Sequence, residues 1–136
     1  MTNSIVRILA RTNRYVRQTA IYDWAIDTFG SIARARPECA RRLLEEAIEV
    51  VQAAGLSEEL ALVVLRYVYG RPVCDVRQEI GQLGVSLLAF AENLGIDADA
   101  EEAREFDRIV SLPPWRFQRR QNEKAEAGIA ERTVEP

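Results

Sequence analysis

The stretch from Gln78 to Gly95, QEIGQLGVSLLAFAENLG, is apolar nearly all the way round when wound as a helix. A helix with no broad polar face has to be buried on most of its sides, so whatever this chain folds into must be built around it. The remainder reads the same way. Apolar residues recur at helical spacing, no segment shows the strict alternation of a half-buried strand, and glycines and prolines mostly separate the periodic segments. The expectation is an all-α helical bundle of about five helices. With 136 residues the chain is of one-domain size. Several of its helices carry wide apolar faces, which calls for a partner subunit. A homo-oligomer, dimer or tetramer, with a four-helix core centred on the Gln78–Gly95 stretch, would supply that cover.

Local signals place the elements. The first helix is expected from about Thr19 to Ala33, with Ile21, Trp24, Ala25 and Phe29 facing inward, after a turn or two between Ile5 and Tyr15. Pro37 suits the first turn of a second helix ending at Gly55. Ser57 caps a third, with Glu58 and Glu59 in its positive first turn, and Gly70 ends it. Asp75 and Gln78 have the spacing of a capping box at the start of the fourth, which runs to Gly95. A fifth begins between Asp97 and Asp99 and stops before Pro113–Pro114; a polar segment with Trp115, Arg119, Arg120 and Lys124 follows. This divides the chain into an arginine-rich segment over 1–18, a helical domain over 19–127 and a disordered tail over 128–136.

Composition removes whole classes of chemistry. There is no histidine, which excludes Ser-His and Cys-His nucleophile systems and every histidine-containing metal site. Two cysteines, Cys39 and Cys74, form neither a disulfide framework nor a zinc pattern and read as reduced cytoplasmic thiols. No apolar run has membrane-spanning length and no leader is expected. Catalysis, if present, must rest on carboxylates, a metal, or both. The net charge of −3 is unevenly laid out: residues 1–42 hold eight arginines against three acids, residues 43–115 five against fourteen. An acidic middle repels a nucleotide unless a divalent cation bridges the two, while the arginines at the start could meet phosphates.

Acidic residues recur in two places. In RRLLEEAIEVV, from Arg41 to Val51, Leu43, Leu44, Ala47, Ile48 and Val51 make one apolar face. Glu46 and Glu49, three apart beside it, can aim at a common point, and Glu45 points further toward solvent. The plain alternative is ion pairing of Arg41 with Glu45 and Arg42 with Glu46, both four apart and worth about 0.3 kcal/mol each. In the fourth helix Glu79, Gln82 and Ser86 share one stripe, which Asp75 extends. A carboxylate on a buried helix is costly unless paired or metal-bound. Two helices offering such groups to one polar pocket would make an oxygen-rich site suited to Mg²⁺ or Mn²⁺.

The order E-E-x-x-E, then E-x-x-D on a later helix, is the signature of the MazG-like all-α nucleoside triphosphate pyrophosphohydrolases. Glu45-Glu46-Ala47-Ile48-Glu49 matches the first motif, and Glu79-Ile80-Gly81-Gln82 resembles the second, with Gln82 where the family has aspartate. The interval between the motifs is slightly longer than usual. YVYGRPV and QEIGQLGVSL resemble a phage and bacterial branch, and the similarity runs from about Trp24 to Ala130. The resemblance implies a Mg²⁺-dependent (or Mn²⁺-dependent) hydrolase that splits a nucleoside triphosphate into monophosphate and pyrophosphate. Glu46, Glu49, Glu79 and Gln82 would hold the metal, and Glu45 would be an accessory catalytic acid; Arg42 could steady the triphosphate. An amide oxygen at Gln82 can ligate Mg²⁺ but brings no charge and cannot serve as a base. The alternative on the same fold is therefore a non-catalytic nucleotide- or metal-binding regulator. A nucleic-acid binder using Arg7, Arg11, Arg14 and Arg17 is disfavoured by the overall acidity.

Overall fold

The computed structural model describes residues 3–133, and these are all-helical, with seven α-helices and no strand among them. The Asn3 side chain accepts the Ile5 amide at 3.0 Å and opens α1 (Ser4–Thr12). Asn13 then both stops α1 and starts α2 (Arg14–Phe29). Its own amide closes on the Leu9 carbonyl at 2.9 Å while its Oδ1 accepts from Val16 at 3.1 Å. This cap is why α2 begins at Arg14 and not near Thr19. Its other end comes earlier than the expected Ala33, because Gly30 takes φ 66° and ψ −140°, a conformation an L side chain resists. Gly30–Arg34 continues as a 3₁₀ turn.

The next four helices start and stop close to the expected signals. α3 (Arg36–Ala53) has Pro37 in its first turn, and α4 (Glu58–Tyr69) is capped by Ser57 Oγ on the Leu60 amide at 3.2 Å. Asp75 Oδ1 accepts from Arg77 and Gln78 at 2.9 and 3.2 Å to open α5 (Val76–Leu94), which closes on left-handed Gly95. α6 (Ala98–Ser111) is capped by Asp97. The polar segment after Pro113 is itself a helix, α7 (Pro114–Glu126), because Pro114 fits a first turn. With α1, it raises the count from about five to seven.

One half of the chain is a packed bundle. Phe106 of α6 is buried against Ala10 and Ala20 from α1 and α2, with Val6, Val16, Ile21, Ile109 and Val110 around it. On the other side of α2, Trp24 meets Phe29 and Phe117 edge-on at 5.8 and 5.0 Å, and Gln118 Nε2 donates to the Thr28 carbonyl at 2.9 Å. Arg17 lies fully buried among the helices, donating to the Ala10 carbonyl at 2.7 Å and to Glu102 at 2.8 Å, and pairing with Asp99. Arg7 and Arg11 reach Asp107, and Arg14 reaches Glu102. The arginines at the start of the chain therefore fasten α1 and α2 to the acidic face of α6. Beyond α7, the Glu131 amide donates to Glu38 and Thr133 binds Asn122, so residues 131–133 of the expected tail are tied down; residues 134–136 lie outside the described residues.

The other half is an arm. No residue of α4 is buried, and α5 buries only Ala91. No packed helix pair among the described residues involves α4, and α5 packs only on α6. The chain exposes 10576 Å², whereas a compact protein of this mass exposes about 7,200 Å². The all-round apolar character of α5 is thus not used within one chain: Ile80, Val85 and Leu88 are 65, 70 and 53% exposed. The expected burial of this helix is absent from the single chain, because among the described residues only α6 packs against it. No described helix is long and apolar enough to cross a membrane.

Candidate carboxylate site

Site geometry starts at the N-terminal end of α3. Glu38 is 3% exposed, in the helix's first turn where the backbone dipole favours an anion. It accepts from Arg41, from Arg42 Nε at 3.3 Å, from Gln121 Nε2 at 2.9 Å and from the Glu131 amide at 3.3 Å. Burial pushes this carboxyl up, but the bonds from Arg41, Gln121 and the Glu131 amide outweigh it and bring it down to about 2. Arg42 is committed to the same clasp. Its Nη2 donates to Gln121 Oε1 at 3.1 Å, and its guanidinium sits 3.8 Å above the Phe29 ring.

One turn along, Glu45 bridges Arg41 at 2.8 Å and Lys124 of α7. The Lys124 bond, and then the Arg41 bond against the opposing effect of burial, hold its carboxyl below the usual range. Of the two ion pairs available by spacing on this helix, Arg41–Glu45 forms and Arg42–Glu46 does not. Arg42 turns back to Glu38 and Phe29, where a buried anion and an aromatic face outbid an exposed glutamate.

Glu46 and Glu49 consequently stand exposed on α3 with no cation within salt-bridge distance among the described residues. Leu43, Leu44 and Ile48, on the face between them and the next turns, are about half exposed. On α5, Glu79 sits in the first turn and Gln82 one turn on; both are exposed and neither has a side-chain partner among the described residues. Within one chain α3 and α5 do not pack together, and the described residues hold no group of three or more His, Cys, Asp or Glu side chains that could hold a metal ion. Two clefts lie elsewhere, one of about 420 Å³ lined by Asp23, Asp27 and Arg34, the other of about 560 Å³ beside Glu92 and Asp97.

The structure therefore sorts the residues chosen from sequence into two kinds. Glu45 and Arg42 are tied into the α3–α7 clasp, while Glu46, Glu49, Glu79 and Gln82 are exposed oxygen donors without side-chain partners among the described residues. Sequence reasoning missed Glu38, Gln121 and Lys124. Glu38 directly after Pro37 is a local first-turn signal, whereas the contacts of Gln121 and Lys124 with α3 span more than seventy residues and leave no local trace. Searches with this chain match no protein-family model, no curated protein and no solved structure.

Proposed function

We propose that this chain is a Mg²⁺-dependent nucleoside triphosphate pyrophosphohydrolase, converting a nucleoside triphosphate and water into monophosphate and pyrophosphate, and that it works as a homo-oligomer. The observation that carries the reading is the contrast among the glutamates. Glu38 and Glu45 are saturated with cationic partners, yet Glu46 and Glu49 of the first motif and Glu79 of the second have none among the described residues. Carboxylates spaced one turn apart and left free beside apolar surface are suited to a hard cation.

The donor set fits Mg²⁺, or Mn²⁺, in kind: carboxylates of Glu46, Glu49 and Glu79 with the amide oxygen of Gln82. When bound, the ion would offset phosphate charge and lower the pKa of a coordinated water. Glu45, fixed by Arg41 and Lys124, keeps the α3 motif in register with α7. Arg42, engaged with Glu38 and Phe29, supports the helix that carries the donors.

The test is pyrophosphate release from a panel of nucleoside triphosphates with Mg²⁺ or Mn²⁺, run beside Glu49→Ala and Gln82→Asp. Turnover that disappears in Glu49→Ala supports the reading. A second reading, a nucleotide-binding regulator on the same scaffold, is favoured by Gln82 and by the engagement of Glu45 in two ion pairs. Silence in the native chain with activity gained in Gln82→Asp selects it. Silence in both, with no thermal shift on adding Mg²⁺, overturns the metal site.

A further inference from the structure

The surface the chain leaves open exceeds that of a compact protein of its mass by on the order of 3,400 Å². Each partner in a standard interface contributes roughly 800 Å², so the arm has the scale of an obligate assembly. The question is what covers it, and α5 answers through its own pattern. At 100° per residue, Arg77, Gly81, Gly84, Val85, Leu88 and Glu92 fall on one side of α5, within about a third of its circumference. Arg77 and Glu92 are exposed and make no ion pair among the described residues. A Cβ built on Gly81 or Gly84 meets nothing within 4 Å. Neither glycine has a positive φ, so neither the backbone nor the chain's own packing requires them, and glycine inside a helix is destabilising relative to alanine.

We propose that a second copy of this chain packs on the arm by laying its α5 antiparallel on this face, about a two-fold axis between Gly84 and Val85. Every residue of the face then finds its complement on the same face of the other copy. Arg77 lies opposite Glu92 of that copy, Gly81 opposite Leu88, and Gly84 opposite Val85. An unpaired cation meets an unpaired anion at each end, and each large apolar side chain meets the open space over a glycine. This self-complementarity is what an isologous interface demands, and a parallel pairing lacks it, since it sets Arg77 against Arg77 and Glu92 against Glu92. The stripe of Glu79, Gln82 and Ser86 faces away from the seam and stays open. The inference deepens the oligomer reading above and does not rest on the hydrolase chemistry, so failure of one is visible separately from failure of the other.

Sedimentation velocity on the full chain at micromolar concentration is the test. The expected mass is twice 15.4 kDa, or a larger even multiple built from such pairs. Arg77→Glu and Glu92→Arg should each weaken association by about tenfold or more at low salt, and Arg77→Glu combined with Glu92→Arg should restore it. Both positions are exposed, and circular dichroism checks that each variant keeps its helices. A native chain that sediments as a monomer overturns the second copy as occupant. An assembly that ignores both reversals, or that the double variant fails to restore, overturns the antiparallel register.

Discussion

Gln121 Nε2 donates to the Glu38 carboxylate at 2.9 Å, with both residues at least 96% buried, and this bond joins the start of α3 to α7 across 83 positions of chain. The amide's oxygen accepts from Arg42 while its nitrogen also reaches the Glu131 carbonyl at 2.6 Å. One neutral side chain thereby satisfies an anion, a cation and a backbone group at once.

Replacing Glu38 by Gln should cost about 3 kcal/mol of stability, because it leaves Arg41 and Arg42 facing an uncharged group inside a partly closed network. The pH dependence follows the sign of the shift. Glu38 is lowered from 4.5 to about 2, so its contribution is complete above pH 4.5 and is lost as pH falls toward 2. Chemical denaturation at a series of acidic pH values should show that limb in the native chain and a flatter one in Glu38→Gln.

Arg17 and Arg14 both contact Glu102, yet they should respond very differently to truncation. Arg17 is fully buried with three acceptors, and Arg17→Met should cost about 3 kcal/mol or more by leaving the Ala10 carbonyl and Glu102 without their donor. The Arg14 side chain is more than half exposed at 3.2 Å from Glu102, and Arg14→Met should change stability by less than about 1 kcal/mol. Equal effects in urea denaturation would refute the assigned burial.

Gly30→Ala should destabilise by about 1–3 kcal/mol even though a Cβ there meets nothing, since the cost is in the backbone at φ 66° and not in packing. The same replacement at Gly70, whose φ is negative but whose Cβ would lie 3.2 Å from the Arg66 carbonyl oxygen, tests crowding instead. Thermal melts of the two variants separate the causes.

What the sequence makes legible here is what is local. Ser57, Asp75 and Asp97 announce their helices because a cap acts on amides two or three residues away. Arg41–Glu45 is legible for the same reason, and Arg42–Glu46 fails because the winning partners, Glu38 and Phe29, include an aromatic ring thirteen residues back. The burial of Arg17 is invisible locally, since its acceptors Asp99 and Glu102 are more than eighty residues away. Apolarity all round α5 reads as burial on most sides, and that burial is absent because among the described residues only α6 packs on it. The α3 and α5 carboxylates, expected to meet in one pocket, do not gather in the single chain because α3 and α5 do not pack on each other.

The two classes of glutamate on α3 should separate cleanly in one series of variants. Glu46 and Glu49 have no ion-pair partner among the described residues, so Glu46→Gln and Glu49→Gln should leave the urea stability of the apo chain within about 0.5 kcal/mol of native. Glu45→Gln breaks the bonds to Arg41 and Lys124 at a partly exposed site and should cost about 1 kcal/mol. On the proposed function, Mg²⁺ is expected to raise the melting temperature of the native chain, and that rise should behave in the opposite sense. It should vanish in Glu46→Gln and Glu49→Gln, whose charge the ion would use, and persist in Glu45→Gln, whose charge is already spent on lysine and arginine. A Mg²⁺ response that survives in all three would place the ion elsewhere, and a stability loss in Glu46→Gln matching that of Glu45→Gln would mean that its carboxylate has a structural partner after all.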